Sequence, residues 1–354
     1  MDRLLFQHIR YFPFIVFIFI ILFGGCGSSL NTYYELPVEF RFPEKRIELL
    51  KIYSPYFIGK KFFIDPGHGG IDRNNIGYLG KAVEADINLK VALALKMYID
   101  EAGGIVEMSR EKDTSVDLKV RSAVANISGS DIFISIHHNA SGDKNDTWTN
   151  YTSTYYHAKD SDYVFEPCQR DLAKYIQRDL AYAMRNSGGI GSFDGTYSDY
   201  NIYPGQGFSV LRLSKIPAVL VECGYTTSEF ESRRLVIDEF TRIEAWGIFR
   251  GLCRYLANGI PKIQFIESVP NNATNELTIS FGLNDSSGIN TNTIKIFIDS
   301  VSYKSYKFNP KDNILSIHYP ASNYGRHIIK ILASNVKGNY AFPFYYNIFV
   351  EKNG

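Results

Sequence analysis

The chain is short of sulfur, tryptophan and histidine: four Cys, four Met, two Trp and seven His in 354 residues. Four widely spaced cysteines make neither the disulfide framework of a small secreted domain nor a Cys-x-x-Cys zinc motif. Charge of one sign is also missing. With 38 basic and 37 acidic side chains the formal net charge is +1, which excludes a global pull toward nucleic acid or strongly acidic substrates. Internal repeats and low-complexity tracts are absent, so solenoids and repeat arrays are excluded. The charged fraction of 21% and the hydrophobic fraction of 45% exclude broad disorder. What is plentiful is Tyr and Phe, 25 of each, a composition that favours strands and sugar- or partner-facing surfaces. The length suggests about two domains.

One long apolar run stands near the start, from Tyr11 to Phe23, preceded by Arg3, His8 and Arg10. It is too short for a spanning helix, which needs roughly 20 apolar residues, and fits a secretory signal. It ends in Phe23-Gly24-Gly25-Cys26-Gly27, which resembles the lipobox of bacterial lipoproteins, with Phe23 where Leu is usual. The resemblance implies lipidation at Cys26 and an exported chain anchored to a membrane of the cell envelope or periplasm. Cys168, Cys223 and Cys253 then read as small buried apolar side chains.

Residues 27–58 are mixed and Pro-containing and read as a tether that also packs on the adjoining domain. From residue 59 to 260, buried strands alternate with amphipathic helices. KFFID, GIVEMSR, DIFISIHHNA, TSTYYH and PAVLVECGY read as strands. Helices are expected over Glu84–Ala102, Asp117–Asn126, Pro167–Asn186 and most of Glu229–Asn258. Gly188–Phe208 reads as a loop. This alternation predicts an α/β domain whose mainly parallel sheet is covered by helices on both faces. Residues 261–354 turn to Asn, Ser, Thr, Ile and Tyr in short runs such as ELTISFGL and RHIIKILAS. They read as an all-β sandwich resembling bacterial Ig-like modules.

His68 stands in DPGHGG after the first strand and His137 in SIHHNA at the end of another. Ligands of open α/β sheets bind outside the C-terminal ends of strands, so both histidines are placed for a site. Glu84 opens the first long helix, where a carboxylate also suits the helix dipole. Glu222 ends the apolar run AVLV, and a charge buried there needs a partner. Two His and one Glu form a common catalytic zinc set, with the fourth position open for water. A further, non-ligating Glu then acts as general base.

Several motifs occur in order along the chain: IDPGHGG, Glu84 with Asp86 to Leu89, Val106 to Arg110 with Asp113, Arg121 to Asn126, SIHHNA, and SVLR with KIPAVLVECGY and Glu231. The stretch from about 60 to 257 resembles the zinc-dependent N-acetylmuramoyl-L-alanine amidases of the amidase_3 type. The resemblance implies one Zn²⁺ on His68, Glu84 and His137, with Glu222 as catalytic acid/base. It also implies hydrolysis of the amide between N-acetylmuramic acid and L-alanine in peptidoglycan, for wall remodelling, daughter-cell separation or turnover. His138, where Ala is commoner, reads as a packing or supporting residue. Arg110, Asp113 and Arg121 are expected to hold loops and helix ends. Tyr197, Tyr200 and Tyr203 are candidates for stacking on substrate, and no dedicated blocking helix is expected between Ala140 and Val210. The expected partners are peptidoglycan and, through the lipid, a membrane, with a protein regulator left open. The alternatives are another envelope zinc amidohydrolase, such as a carboxypeptidase, and an inactive wall-binding scaffold.

Overall fold

Three apolar runs dominate the middle of the sequence: Lys61–Pro66 (β1), Ile132–Asn139 (β3) and Ala218–Tyr225 (β6), nearly all of it buried. Runs buried on both faces belong at the centre of a parallel sheet. In the computed structural model they lie side by side in parallel within a six-stranded sheet of order β2-β1-β3-β6-β4-β5. The structure describes residues 34–351 apart from 74, 78–79, 189–193 and 272. The Tyr11–Phe23 run and Cys26 lie outside the described residues.

β2 is Ile105–Met108, parallel to β1. β4, Ser153–Tyr156, runs antiparallel to β6, and β5, Thr196–Ser198, is parallel to β4. The sheet is therefore parallel over four strands and reversed at one edge. β5 falls within the stretch expected to be loop. Three residues in a Gly- and Tyr-rich segment carry too little alternation to be seen in the sequence.

The two faces are covered unequally. Helices Glu84–Glu101, Asp238–Ala257 and Pro167–Met184 pack on one face. Among the described residues the other face holds helix Leu118–Ile127 and the single turn Ser209–Arg212, packed around Phe63, Phe133, Tyr155 and Leu220. Asp117 caps the former by accepting from the Lys119 N–H at 2.8 Å. The region expected to be tether contains helices Val38–Arg41 and Pro43–Phe57. They are pinned by Glu39 to Arg250 (2.6 Å), by Phe57 against Phe62 and Phe249, and by Arg46 over the Tyr98 ring at 4.9 Å.

The last third adds β8 (Glu276–Asn284), β9 (Ile289–Ile298), β12 (Ile314–Pro320), β14 (Tyr345–Val350) and four further strands, in two four-stranded antiparallel sheets, β10-β9-β13-β14 and β11-β12-β8-β7. They enclose Ile279, Phe281, Ile296, Ile317, Ile331 and Ile348. β7 (Lys262–Asn271), β10 (Val301–Tyr303) and β11 (Tyr306–Asn309) were not apparent in the sequence, because β7 is mostly exposed and the other two, at three and four residues, are too short to show a period. Leu36–Gly354 forms one compact unit. At the junction, Lys330 of β13 (Gly325–Asn335) is buried and donates to the Tyr163 and Phe165 carbonyls at 2.6 and 3.0 Å. Asn339 donates to the carbonyls of Tyr255 and Gly259.

Candidate active site

β1 ends at Pro66, and the chain must then turn sharply to bring His68 back over the sheet edge. His68 adopts φ 57°, a left-handed conformation that is costly for a residue with a Cβ. The loop is held by two buried arginines. Arg110 donates to the carbonyls of Pro66, Gly67 and Ala85 at 3.0, 2.9 and 2.7 Å. Arg121 pairs with buried Asp65 at 2.6 Å and donates to the His68 carbonyl at 2.9 Å. Asp113 accepts from the Gly70 N–H at 2.7 Å. These three residues thus hold the loop, as expected. Gly67 is required for another reason: a Cβ there would lie 2.1 Å from the His137 ring.

Glu84, the first residue of its helix, is 1% exposed and sits between the two histidines. Its Oε2 is 3.1 Å from His68 Nε2, and its Oε1 is 3.0 Å from His137 Nδ1. The His138 backbone N–H donates to Oε1 at 3.1 Å, Asn88 donates to it at 3.3 Å, and Asn75 donates to Oε2. The His68 ring is fixed on its other side by Asp72, 2.8 Å from Nδ1. The side-chain donor atoms of His68, Glu84 and His137 all lie within 4.8 Å of one another. This is a donor set of two imidazoles and one carboxylate.

Glu222 stands opposite His137 in the β3–β6 register, so both side chains emerge on the thinly covered face. Its Oε2 is cut off from solvent and has no hydrogen-bond partner among the described residues. Burial pushes the Glu222 carboxyl well above the usual carboxylate range, and the Glu84 charge adds to this. The Glu84 carboxyl lies well below that range: burial opposes ionisation, but the bonds to His137 and His68 prevail. His68 is pushed up to about 9, chiefly by its bond to Glu84 and against the opposing effect of burial.

These residues open into a cleft of about 560 Å³, walled by Leu118, Tyr203, Phe208 and Arg212. The four sequence-predicted residues therefore come together. Tyr203 joins them in the lining, whereas Tyr197 packs on Tyr155 and Tyr200 on His157. His138 points to the opposite face, into the interior. Between Ala140 and Val210 the one long helix among the described residues, Pro167–Met184, lends no residue to the cleft. Asp72 and Asn75 were missed, and Asn88 was seen only as part of the Asp86 to Leu89 motif, with no role assigned. Asn88 alone carried a readable signal, four residues after Glu84 on the same helical face.

The sequence pattern of a family described as N-acetylmuramoyl-L-alanine amidase matches residues 62–254. The germination-specific N-acetylmuramoyl-L-alanine amidase of Bacillus subtilis (strain 168) is 28% identical over 242 residues, 64% of this chain and 93% of that protein. N-acetylmuramoyl-L-alanine amidase LytC of the same organism is 31% identical over 180 residues, 50% of this chain and 32% of its own, so the chain spans about a third of that relative. The crystal structure of an N-acetylmuramoyl-L-alanine amidase from Clostridium difficile 630 aligns with 56% of this chain and 97% of its own, at 31% identity and a TM-score of 0.48.

Proposed function

The chain belongs to the N-acetylmuramoyl-L-alanine amidase family, and from that premise we propose that it hydrolyses the amide joining N-acetylmuramic acid to L-alanine in peptidoglycan, with the cleft as its active site. The observation that carries this reading is the convergence of His68, Glu84 and His137 beside the unpartnered Oε2 of Glu222. Two imidazole nitrogens and a carboxylate oxygen suit Zn²⁺ in a catalytic site, which keeps one position open. When bound, the ion would supply a Lewis acid that acidifies water and polarises the substrate carbonyl.

The chain's own residues do the rest. His68 and His137 present neutral nitrogens, and Asp72 fixes the His68 tautomer by accepting from Nδ1. Glu84 is held rigid by the Asn75 and Asn88 amides and the His138 N–H. Glu222 takes a proton from the attacking water and returns it to the leaving amine of L-alanine. Burial raises the Glu222 carboxyl above its ordinary value and so favours its protonated form, which suits the second half of this task. Tyr203 and Phe208 wall the cleft beside it.

The proposed setting is the cell envelope, with lipid on Cys26 as the anchor and residues 59–260 and 261–354 as catalytic and β modules. No helix among the described residues is long and apolar enough to cross a membrane. The deciding experiment is mass spectrometry of muropeptides after incubation with the protein, with and without chelator. Free stem peptides beginning in L-alanine, lost with chelator and restored by Zn²⁺, are expected. Trimming at the peptide C-terminus instead, or no product, would overturn the assignment.

A further inference from the structure

Directly behind the cleft, on the other face of the same two strands, lies a second cluster of donors. His138 and Cys223 are the residues next to His137 and Glu222, so alternation along β3 and β6 turns them into the interior. Glu244, on helix Asp238–Ala257, faces them. The imidazole nitrogen, the sulfur and a carboxylate oxygen lie within 4.8 Å of one another, and all three residues are at most 1% exposed.

The local hydrogen bonds show which atoms are free. His138 Nδ1 is 2.7 Å from Asn88 Oδ1, while the Asn88 amide nitrogen is already used in donating to the Gly67 carbonyl and to Glu84. Nδ1 therefore carries the ring proton, and in the neutral ring Nε2 is left with its lone pair. That lone pair stands 3.1 Å from Glu244 Oε1, and Glu244 Oε2 has no partner among the described residues. A lone pair and a carboxylate repel at this distance unless a positive species lies between them. A proton would satisfy Nε2 and Oε1 alone and would leave Oε2 and the Cys223 sulfur unused. The proposed zinc triad in the cleft has the same signature, with imidazole-to-carboxylate separations of 3.1 and 3.0 Å.

We infer that His138 Nε2, Cys223 Sγ and the two oxygens of Glu244 hold a second, structural divalent cation of the zinc class. Thiolate and carboxylate together balance its two charges, so the buried site is neutral. Sulfur and imidazole donors select zinc over magnesium or calcium. The acceptor on Nδ1 is the usual support of a metal-bound histidine. Binding releases the thiol proton and the proton shared by His138 and Glu244. The ion would tie β3, β6 and helix Asp238–Ala257 together beneath the active site, without meeting substrate. This goes beyond the amidase reading and does not depend on it.

Cobalt distinguishes the two sites, because the cleft contains no sulfur ligand. The full chain, expressed with Co²⁺ as the supplied transition metal, is expected to hold two equivalents and to show thiolate-to-cobalt charge-transfer absorption in the near ultraviolet. Cys223→Ser should lose that absorption and one equivalent. His68→Ala should lose the other equivalent and keep the absorption. One equivalent and no thiolate band in the unsubstituted chain would overturn the second site and leave a proton-bridged His138–Glu244 pair. Failure of the amidase reading would show differently, as an intact band without peptidoglycan hydrolysis.

Discussion

At the scale of single residues, the site depends on one unsatisfied atom and one missing side chain. The atom is Glu222 Oε2. Glu222→Gln preserves shape while removing the proton carrier, so hydrolysis should fall by about 10²- to 10⁴-fold with zinc content unchanged. Retained muropeptide release would refute the role. His68→Ala and Glu84→Ala should instead lose the equivalent of zinc held in the cleft, by metal analysis. The missing side chain is that of Gly67, where a Cβ would meet His137 at 2.1 Å. Gly67→Ala should therefore displace His137 and weaken zinc binding, read by titration against a chromogenic chelator; affinity equal to the unsubstituted chain would contradict this. His68 adds a pH dependence. Its metal-free value, raised from 6.5 to about 9, means that zinc must displace a proton throughout the neutral range. Apparent zinc affinity should thus rise by up to about tenfold per pH unit toward pH 9; calorimetric titrations that are flat from pH 6 to 9 would exclude it. His68, His137 and Glu222 were legible because polar groups at the ends of apolar strands and in glycine loops have little reason to be there except chemistry; Glu84, which the helix dipole alone would explain, was legible only beside them and through the family resemblance. Glu244 was not legible, since one acid on a helix shows its burial only when the helix is packed.

At the scale of elements, the largely apolar runs of β1, β3 and β6 could be placed from sequence because burial on both faces leaves few polar positions. The reversal at β4 and β5 could not, since pairing direction depends on where the chain returns, and β5 has only three residues. Helix Pro167–Met184 carries a further consequence of packing. Asp171 on this helix accepts from the Tyr340 N–H at 3.0 Å, and burial raises its carboxyl to about 6. A value raised above the unfolded one gives stability that is full below about pH 4 and lost as pH rises through 6. Above that, the ionised group costs on the order of 3 kcal/mol. Asp171→Asn keeps the acceptor, so its melting temperature should exceed that of the unsubstituted chain at pH 7.5 and match it near pH 4. A gain of equal size at both values would show that ionisation is not the cause.

At the scale of the whole molecule, the β sandwich is joined to the α/β part by buried polar groups. Lys330 pairs with Glu166 at 2.8 Å, and the Tyr345 hydroxyl donates to the same carboxylate at 2.6 Å. Removing one partner of such a pair leaves the other charge buried, which costs about 3–5 kcal/mol. Lys330→Ala should accordingly split a single calorimetric unfolding transition into two; two transitions already present in the unsubstituted chain would show that the modules do not melt together. The change of composition after Pro261 made the existence of the β module legible. The junction was invisible, because Lys330 sits in RHIIKILAS like any surface lysine of a strand.

The alternation of β3 and β6 also limits how this chain can change over time. Because His137 and His138, like Glu222 and Cys223, are adjacent on opposite faces, substitutions can alter the cleft or the buried cluster one at a time. Loss or gain of one residue in either strand has no such independence. It turns every side chain beyond it over, bringing buried donors into the cleft and cleft donors into the interior. A change in the length of these strands ahead of the irregularity that follows His137 is therefore costlier than an exchange of residues.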